Sequence, residues 1–310
     1  MNWGAIIGDF EISEAGIVFK GAPTPFKNAR GEQEMGLLAG LAICSERFSS
    51  GDISARVEFE KISELNSCEL VFYFDPVRRW HVSAGIGGAN GMYVIRHWDG
   101  KWVEHAIAGS RKNLLPGRPY EIKVAVRGSR IALTVDGVDV LGAVLPFPVT
   151  PSQTGLWLLD DATVRVSNYS VSRRRGRAFV VMEFSSPFTE LFDVIKKVCE
   201  DFQIDAHKAD EQYGPGIVIS DIARDIAEAE FVIAEITPAN PNVYYELGYA
   251  HAINKPAILL ANRSVGKAPF DVAAFRIMFY ENSIPGRQAF EDGLRKHIEV
   301  ILEKGGLTGR

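Results

Sequence analysis

The chain has 310 residues, a formal net charge of −5, and 46% hydrophobic and 24% charged residues. This balance is typical of a globular protein, and the length predicts two domains. A net negative charge gives no general attraction to nucleic acid, so we expect no nucleic-acid partner.

The three cysteines, Cys44, Cys68 and Cys199, are widely spaced along the chain. None forms a CxxC pair, which argues against a zinc site or a disulfide framework and favours a reducing compartment. Residues 1–9 contain neither a basic stretch nor a long apolar segment, so we expect no signal peptide and no membrane span. The sequence therefore predicts a cytoplasmic protein.

Residues 1–173 alternate short apolar-patterned runs with turns that are rich in Gly, Asp, Asn and Pro. The period of two that is typical of half-buried strands is clear in residues 53–60 and 120–126. Asp136-Gly137, between two further apolar runs, is a strong hairpin signal. Because helical periodicity is nearly absent, this half is predicted to be an all-β sandwich.

The order of these segments resembles the concanavalin A-like, or laminin-G-like, jelly roll. The residues that carry the resemblance are Gly8-Asp9-Phe10, Phe48-Ser49-Ser50-Gly51-Asp52, Tyr120-Glu121-Ile122-Lys123-Val124, Asp136-Gly137 and Asn168-Tyr169. It covers nearly all of residues 1–173 and implies a domain that senses a ligand or mediates assembly.

Four tryptophans of this half, Trp80, Trp98, Trp102 and Trp157, admit two interpretations. They either stack on a sugar or simply pack, since aromatic residues are common in strands. If a ligand such as a carbohydrate binds this half, we expect it at the hairpin of residues 98–102. Glu58 and Glu60 share one strand face, which is more typical of a solvated surface than of a glycoside hydrolase.

The sequence changes character after residue 173. Residues 174–177 continue an arginine-rich run and carry no apolar anchor, which predicts an exposed linker rather than a phosphate or nucleic-acid contact.

Residues 178–310 alternate apolar strands with amphipathic helices. We predict strands at 178–184, 204–209, 231–236, 256–261 and 276–280, and helices at 187–202, 217–229, 242–253 and 285–303. This alternation predicts an α/β fold with a parallel sheet flanked by helices. Neither GxGxxG nor GxxxxGK[ST] follows a strand, so the dinucleotide fingerprint and the P-loop are absent.

The helix predicted at 242–253 begins at the carboxyl end of a strand, where open α/β sheets bind ligands. Asn242 is expected to cap it, which places Glu246 in the first or second turn. A helix N-terminus favours negative charge, so we expect the Glu246 carboxylate to be ionised at neutral pH.

Asn240-Pro241-Asn242-Val243-Tyr244-Tyr245-Glu246-Leu247-Gly248-Tyr249-Ala250, followed by Lys255-Pro256-Ala257-Ile258-Leu259-Leu260, resembles the nucleoside 2-deoxyribosyltransferase superfamily and its TIR relatives. The resemblance extends to residues 179–185 and 269–272. It implies a TIR/flavodoxin-like fold for residues 178–310, with Glu246 as the catalytic residue. The other residues that it places at the substrate are Ser185, Ser186, Phe188, Asp210, Asn240, Asn242 and Tyr245.

The resemblance also implies an activity. TIR enzymes of this kind cleave the nicotinamide–ribose bond of NAD, which would be the substrate, with no cofactor and no metal. Such proteins are homo-oligomers that serve in bacterial antiphage defence. The transferases place an aspartate where this chain has Asn240, which favours NAD cleavage over base exchange. A nucleoside N-glycosidase or 2-deoxyribosyltransferase, and a non-catalytic nucleotide-binding or scaffold module, remain the alternatives.

Overall fold

The computed structural model describes residues 1–21, 25–27, 33–35, 39–63, 66–88, 90–183, 186–208, 218–264 and 276–304. The chain divides into two compact units, here called the first and second domains. The first domain comprises Met1–Val126, Ile131–Val144 and Pro151–Arg174, and the second comprises Arg127–Arg130, Leu145–Thr150 and Arg175–Arg310.

The first domain consists of strands and one short 3-10 helix at Arg111–Asn113. Its strands are β1 (Trp3–Ile7), β2 (Phe10–Ser13), β3 (Gly16–Phe19), β4 (Pro25–Lys27), β5 (Gln33–Met35), β6 (Ala39–Phe48), β7 (Gly51–Phe59), β8 (Ser67–Asp75), β9 (Trp80–Gly87), β10 (Tyr93–Trp98), β11 (Trp102–Ala108), β12 (Pro119–Arg127), β13 (Arg130–Val135), β14 (Val138–Val144), β15 (Ser152–Leu159) and β16 (Val164–Arg173). Two sheets of seven strands follow the orders β1-β6-β15-β8-β9-β10-β11 and β14-β13-β12-β7-β16-β3-β2, and β4 pairs with β5.

The two large sheets form a jelly-roll sandwich, as the sequence predicted. Antiparallel pairs such as β6–β15 and β7–β16 join strands that are far apart in the chain. In β7, Ile53, Val57 and Phe59 are fully buried and alternate with partly exposed residues, so one face of that strand lies in the core. The predicted hairpin at Asp136-Gly137 is present, and both residues have the positive φ values, 50° and 79°, that such a turn requires.

Some strands of the first sheet have no alternating signal in the sequence. Every residue of β9 is buried, although His81 and Ser83 are polar. A period of two arises only when one face of a strand meets solvent, so a strand that is covered on both faces does not show it. This explains why β9 was not predicted.

The second domain contains the predicted strand–helix alternation. Its elements are β17 (Gly176–Val181), α1 (Ser186–Glu200), β18 (Ile204–His207), α2 (Val218–Glu228), β19 (Phe231–Glu235), α3 (Pro241–Ala252), β20 (Ala257–Asn262), β21 (Ile277–Tyr280) and α4 (Ile284–Lys304). The strands form a parallel sheet in the order β18-β17-β19-β20-β21. This is the flavodoxin-like order, in which the first strand lies between the second and the third.

Helices cover both faces of this sheet. On one face, α1 and α4 pack through Phe192, Ile195 and Leu294 against strand residues such as Ile233. On the other face, α2 and α3 pack against the strands through their own core cluster, which includes Ile226, Val243 and Leu247. Helices on both faces are what parallel connections require.

The structure differs from the predicted linker of residues 174–177. Gly176 and Arg177 belong to β17, where Arg177 pairs with Asp205 of β18. The Arg177 guanidinium also lies 3.4 Å from the carboxylate of Glu228 and donates to His207. Arg177 is therefore part of the parallel sheet, held by these partners, and does not belong to an exposed linker.

Candidate functional site

The N-terminus of α3 is set by Asn240 rather than Asn242. Asn240 has extended backbone angles, and its Oδ1 accepts a hydrogen bond of 3.0 Å from the backbone N–H of Asn242. Pro241 occupies the first helical position, where its missing N–H and fixed φ are favourable. The predicted cap, Asn242, was therefore two residues too late. Asn240 is the cap, and Asn242 donates its backbone N–H to it.

Glu246 lies in the second turn of α3 and is half-buried. Its carboxylate has no hydrogen-bond or ion-pair partner among the residues that the structure describes. Burial raises the pKa of this carboxyl to about 7. This raised pKa opposes the ionisation that the helix start was expected to favour, because the field of a helix terminus fades beyond the first turn while desolvation remains.

The neighbouring predicted residues occupy different environments. Tyr245 is 63% exposed, and Asn242 is also exposed, so neither side chain lies in an enclosed pocket. Tyr244, which was not among the predicted site residues, packs against the core, and its hydroxyl donates to the carbonyl oxygen of Ile236 at 3.3 Å. Of these two tyrosines, Tyr244 is therefore the one that is held in place.

The predictions on the two preceding loops are only partly covered. Ser185 and Asp210 lie outside the described residues. Ser186 is the first residue of α1, and Phe188 is two residues further along the same helix.

A cavity of about 380 Å³ opens at the carboxyl edge of the parallel sheet. Its described lining residues are Glu183, Phe188, Glu190, Leu191, Val194, Thr237, Pro238, Asn262, Tyr280, Glu281, Asn282, Ser283, Arg287 and Phe290. Among the predicted site residues this set includes Phe188, but it does not include Glu246, Asn240, Asn242 or Tyr245. Glu246 is therefore not one of the described residues that line this cavity.

Glu235, at the end of β19, carries a buried carboxyl next to three of these lining residues. Its Oε1 accepts hydrogen bonds from the backbone N–H of Thr237 at 3.1 Å and from Thr237 Oγ1 at 2.5 Å. Thr237 Oγ1 in turn accepts from the backbone N–H of Asn262 at 2.7 Å, and the Tyr280 side chain acts to lower the pKa of Glu235. Desolvation raises the pKa of Glu235 to about 7 even though these donors oppose the shift.

The pKa of Glu235 predicts how stability depends on pH. A carboxyl whose pKa is higher in the folded than in the unfolded chain stabilises the fold below its unfolded pKa. That contribution is lost as the pH rises through 7. Glu235→Gln should therefore raise the unfolding free energy relative to wild type at pH 8, by on the order of 2 kcal/mol.

The difference between Glu235→Gln and wild type should shrink to zero or change sign near pH 4.5, where both side chains are neutral. Urea unfolding followed by the helical signal in far-UV circular dichroism reports the second domain, which holds every α-helix of the described ranges. Glu299→Gln, at an exposed position of α4, is the matched control and should change nothing at either pH. An equal effect of Glu235→Gln at pH 8 and pH 4.5 would contradict the assignment.

The first domain also has a buried charged group. Glu69 is fully buried in β8 and accepts hydrogen bonds from Ser67 Oγ at 2.7 Å and Ser83 Oγ at 2.6 Å. Arg96 pairs with both carboxylate oxygens, through Nε at 3.1 Å and through Nη2. The guanidinium carbon also lies 3.7 Å from the centroid of the Trp102 ring. Four donors thus satisfy one buried carboxylate.

The aromatic residues near this pair are mostly packed. Trp80 and Trp157 are buried, whereas Trp98 and Trp102 at the hairpin are partly exposed and meet edge to face at 5.3 Å. His81 lies 5.3 Å from Trp102 and 5.5 Å from Trp157, measured between ring centroids. Neither ring nitrogen of His81 nor Nε1 of Trp157 has a hydrogen-bond partner in the described part of the chain. The packing interpretation fits Trp80 and Trp157, and the hairpin leaves Trp98 and Trp102 accessible.

The described residues contain no cluster of three or more histidine, cysteine or acidic side chains that would hold a metal ion. Cys44, Cys68 and Cys199 are buried free thiols. Within the ranges given above, no helix has the length and apolar character needed to cross a membrane.

Comparison with known proteins gives likenesses of fold only. No family model and no curated protein matches the chain. The carbohydrate-binding module CBM66 from Bacillus subtilis is 15% identical, with a TM-score of 0.44, and the match covers 54% of this chain and 92% of that one.

Two further solved structures are similar over a comparable share of the chain. A Bacillus subtilis protein with a galectin-like fold is 14% identical, covering 54% of this chain and 87% of that one at a TM-score of 0.38. The Bacillus licheniformis β-glucanase is 10% identical, covering 55% of this chain and 92% of that one at a TM-score of 0.34. The matched part is the N-terminal jelly roll, and likenesses this distant carry no information on ligand or activity.

Proposed function

We propose that the second domain hydrolyses the nicotinamide–ribose bond of NAD, with Glu246 as the catalytic carboxylate. The observation that carries the proposal is the carboxylate itself. Glu246 is half-buried, lacks a protein partner among the described residues, and lies on the helix that follows the third strand of a parallel sheet. The carboxyl edge of such a sheet is where ligands bind. A TIR-like activity, an assembled active form and a role in antiphage defence are the parts of this proposal that come from the sequence resemblance.

The chemistry asks little of the protein beyond this carboxylate. The bond between the ribose C1′ and the pyridinium nitrogen breaks, and its electron pair neutralises the leaving nicotinamide. Water then adds to C1′ and releases a proton, which yields ADP-ribose. Positive charge develops on the ribose ring, so an ionised Glu246 stabilises the transition state, or attacks C1′ directly. No general acid is needed, because the leaving base departs neutral.

The alternatives predict different products from one experiment. The full chain is incubated with NAD, and separately with a deoxynucleoside and a free base, at concentrations that span its self-association. Release of nicotinamide from NAD supports the proposal, and base exchange supports a deoxyribosyltransferase. If NAD binds but is not cleaved at any protein concentration, the proposal is overturned and the non-catalytic nucleotide-binding module is the remaining interpretation.

For the first domain we propose a ligand-sensing role centred on the hairpin that carries Trp98 and Trp102. The support is their accessibility, together with the unpartnered Nε1–H of Trp157 and the ring nitrogens of His81 nearby. Flat aromatic faces beside polar groups suit a carbohydrate. All five tryptophans, including Trp3 and Trp80, precede residue 174, so their fluorescence reports this domain. Oligosaccharide titration should change it in wild type and less in Trp98→Ala; no change with any sugar would argue for assembly instead.

A further inference from the structure

One side of the cavity at the carboxyl edge of the second domain is aromatic. Phe188 of α1, Tyr280 of β21 and Phe290 of α4 line it, and the rings of Tyr280 and Phe290 lie 5.6 Å apart in an edge-to-face arrangement. About 380 Å³ is at the lower end of small-molecule sites and suits a ligand of one or two rings.

The charged residues around the cavity are mostly acidic. Among its lining residues, Glu183 and Glu190 form no ion pair with any described residue. The charge of Glu281 is balanced by Arg263 at 3.7 Å. The only described basic lining residue, Arg287, is engaged by Glu291 at 3.3 Å, outside the lining set. Among the described lining residues, acidic side chains therefore outnumber basic ones, and their net charge is negative.

A fourth carboxyl, that of Glu235, lies next to the lining residues. Glu235 is 2% exposed and accepts a hydrogen bond from Thr237, which lines the cavity. Burial and the charge of Glu235 raise the pKa of Tyr280, another lining residue. In α3, burial and the nearby charge of Glu235 raise the pKa of Tyr244, so that its hydroxyl stays neutral. These neighbours donate hydrogen bonds or stay neutral, so no described cation offsets a charge that develops on Glu235.

We propose that this cavity is a binding site for a small aromatic cation, an amine or a positively charged heterocycle, and that it works without Glu246. A ring is accommodated by Phe188, Tyr280 and Phe290, whose faces attract positive charge. The cationic group lies toward Glu183, which is only partly exposed and is thus less screened than Glu190 on the rim. Anionic ligands are excluded, because the net charge of the described lining residues is negative.

Three probes of nearly equal shape test the charge preference: benzylammonium, benzyl alcohol and benzoate. Each is titrated into the full chain by isothermal calorimetry at low salt and at neutral pH. Benzylammonium should bind at least about tenfold more tightly than benzyl alcohol, with the preference reduced at high salt, and benzoate should not bind. Equal affinities for the three probes would overturn the proposal.

Variants locate the site. Glu183→Gln should lower the affinity for benzylammonium by about tenfold and leave benzyl alcohol unchanged, and Phe188→Leu should weaken both. Glu299→Gln, outside the cavity, and Glu246→Gln should bind all probes as wild type does. Loss of benzylammonium binding in Glu246→Gln but not in Glu183→Gln would place the cation elsewhere and refute the proposal, whether or not NAD is hydrolysed. A soaked crystal with benzylammonium away from Phe188 would do the same.

Discussion

Replacing Glu246 by glutamine is expected to lower kcat/KM for NAD by a factor of about a thousand or more, which corresponds to roughly 4 kcal/mol of lost transition-state stabilisation. Glutamine keeps the shape of the side chain but removes the negative charge that the ribose cation requires. Because the carboxyl of Glu246 has a pKa raised to about 7, only part of the wild-type protein is ionised at neutral pH. The wild-type rate should therefore rise with pH through 7 and then level off.

The same substitution has a second, independent signature in stability. The folded pKa of Glu246 lies above its ordinary value, so its contribution to stability is present at low pH and is lost as the pH rises through 7. Glu246→Gln should thus be more stable than wild type at pH 8, by on the order of 1 kcal/mol after allowance for solvent screening, and equal to it near pH 4.

A variant that loses activity and gains stability at pH 8 separates a catalytic role from a structural one. If Glu246→Gln keeps wild-type turnover, the carboxylate is not catalytic. A rate that falls rather than rises above pH 7 would assign Glu246 to general acid catalysis instead. Glu235→Gln serves as the comparison in the pH profile, since Glu235 titrates in the same range.

The largest loss of stability is expected in the first domain. Arg96→Met should destabilise it by about 3–5 kcal/mol, because it leaves the Glu69 carboxylate buried with only the hydroxyls of Ser67 and Ser83 as partners. Tryptophan fluorescence during urea unfolding measures this domain alone. The second domain, followed by far-UV circular dichroism, should unfold as in wild type.

The control for Arg96→Met removes the partner as well. In Glu69→Gln/Arg96→Met the buried charge is gone. The glutamine oxygen accepts from one of the two serine hydroxyls, and its amide N–H can donate to the other. We expect this double variant to recover most of the loss, with a coupling energy of about 2 kcal/mol or more. If the single and double variants are equally unstable, the cost lies in lost packing of the arginine against Trp102.

The second domain was predictable element by element because its signals are local. Its strands are short apolar runs, its helices α1 and α2 have one apolar face, and Asn240-Pro241 marks the start of α3. The first domain was predictable only as a class. Buried and exposed residues alternate in β7 and β12, as their sequences predict. In contrast, β9 is buried on both faces, so its sequence has no alternating pattern from which a strand could be predicted.

The candidate site shows the same division. The position of Glu246 follows from its spacing after a buried strand, whereas its protonation depends on burial by residues distant in sequence. Glu235, Asn262 and Tyr280 meet only because β19, β20 and β21 are neighbours in the sheet. No spacing rule along the chain relates these three residues, so the hydrogen bonds around Glu235 were not predicted.

The strand order of the second domain has a consequence for how the chain is made. β17 is the first strand of its sheet to be synthesised, yet it lies between β18 and β19. Its apolar residue Phe179 therefore has no strand partner until the chain has extended to His207 of β18. On the other side, Phe179 and Val180 have none until Val232 and Ile233 of β19. While β18 and β19 are not yet synthesised, β17 is an apolar strand with both edges unpaired. A segment of this kind is prone to aggregate, so we expect chaperones to bind it in this interval.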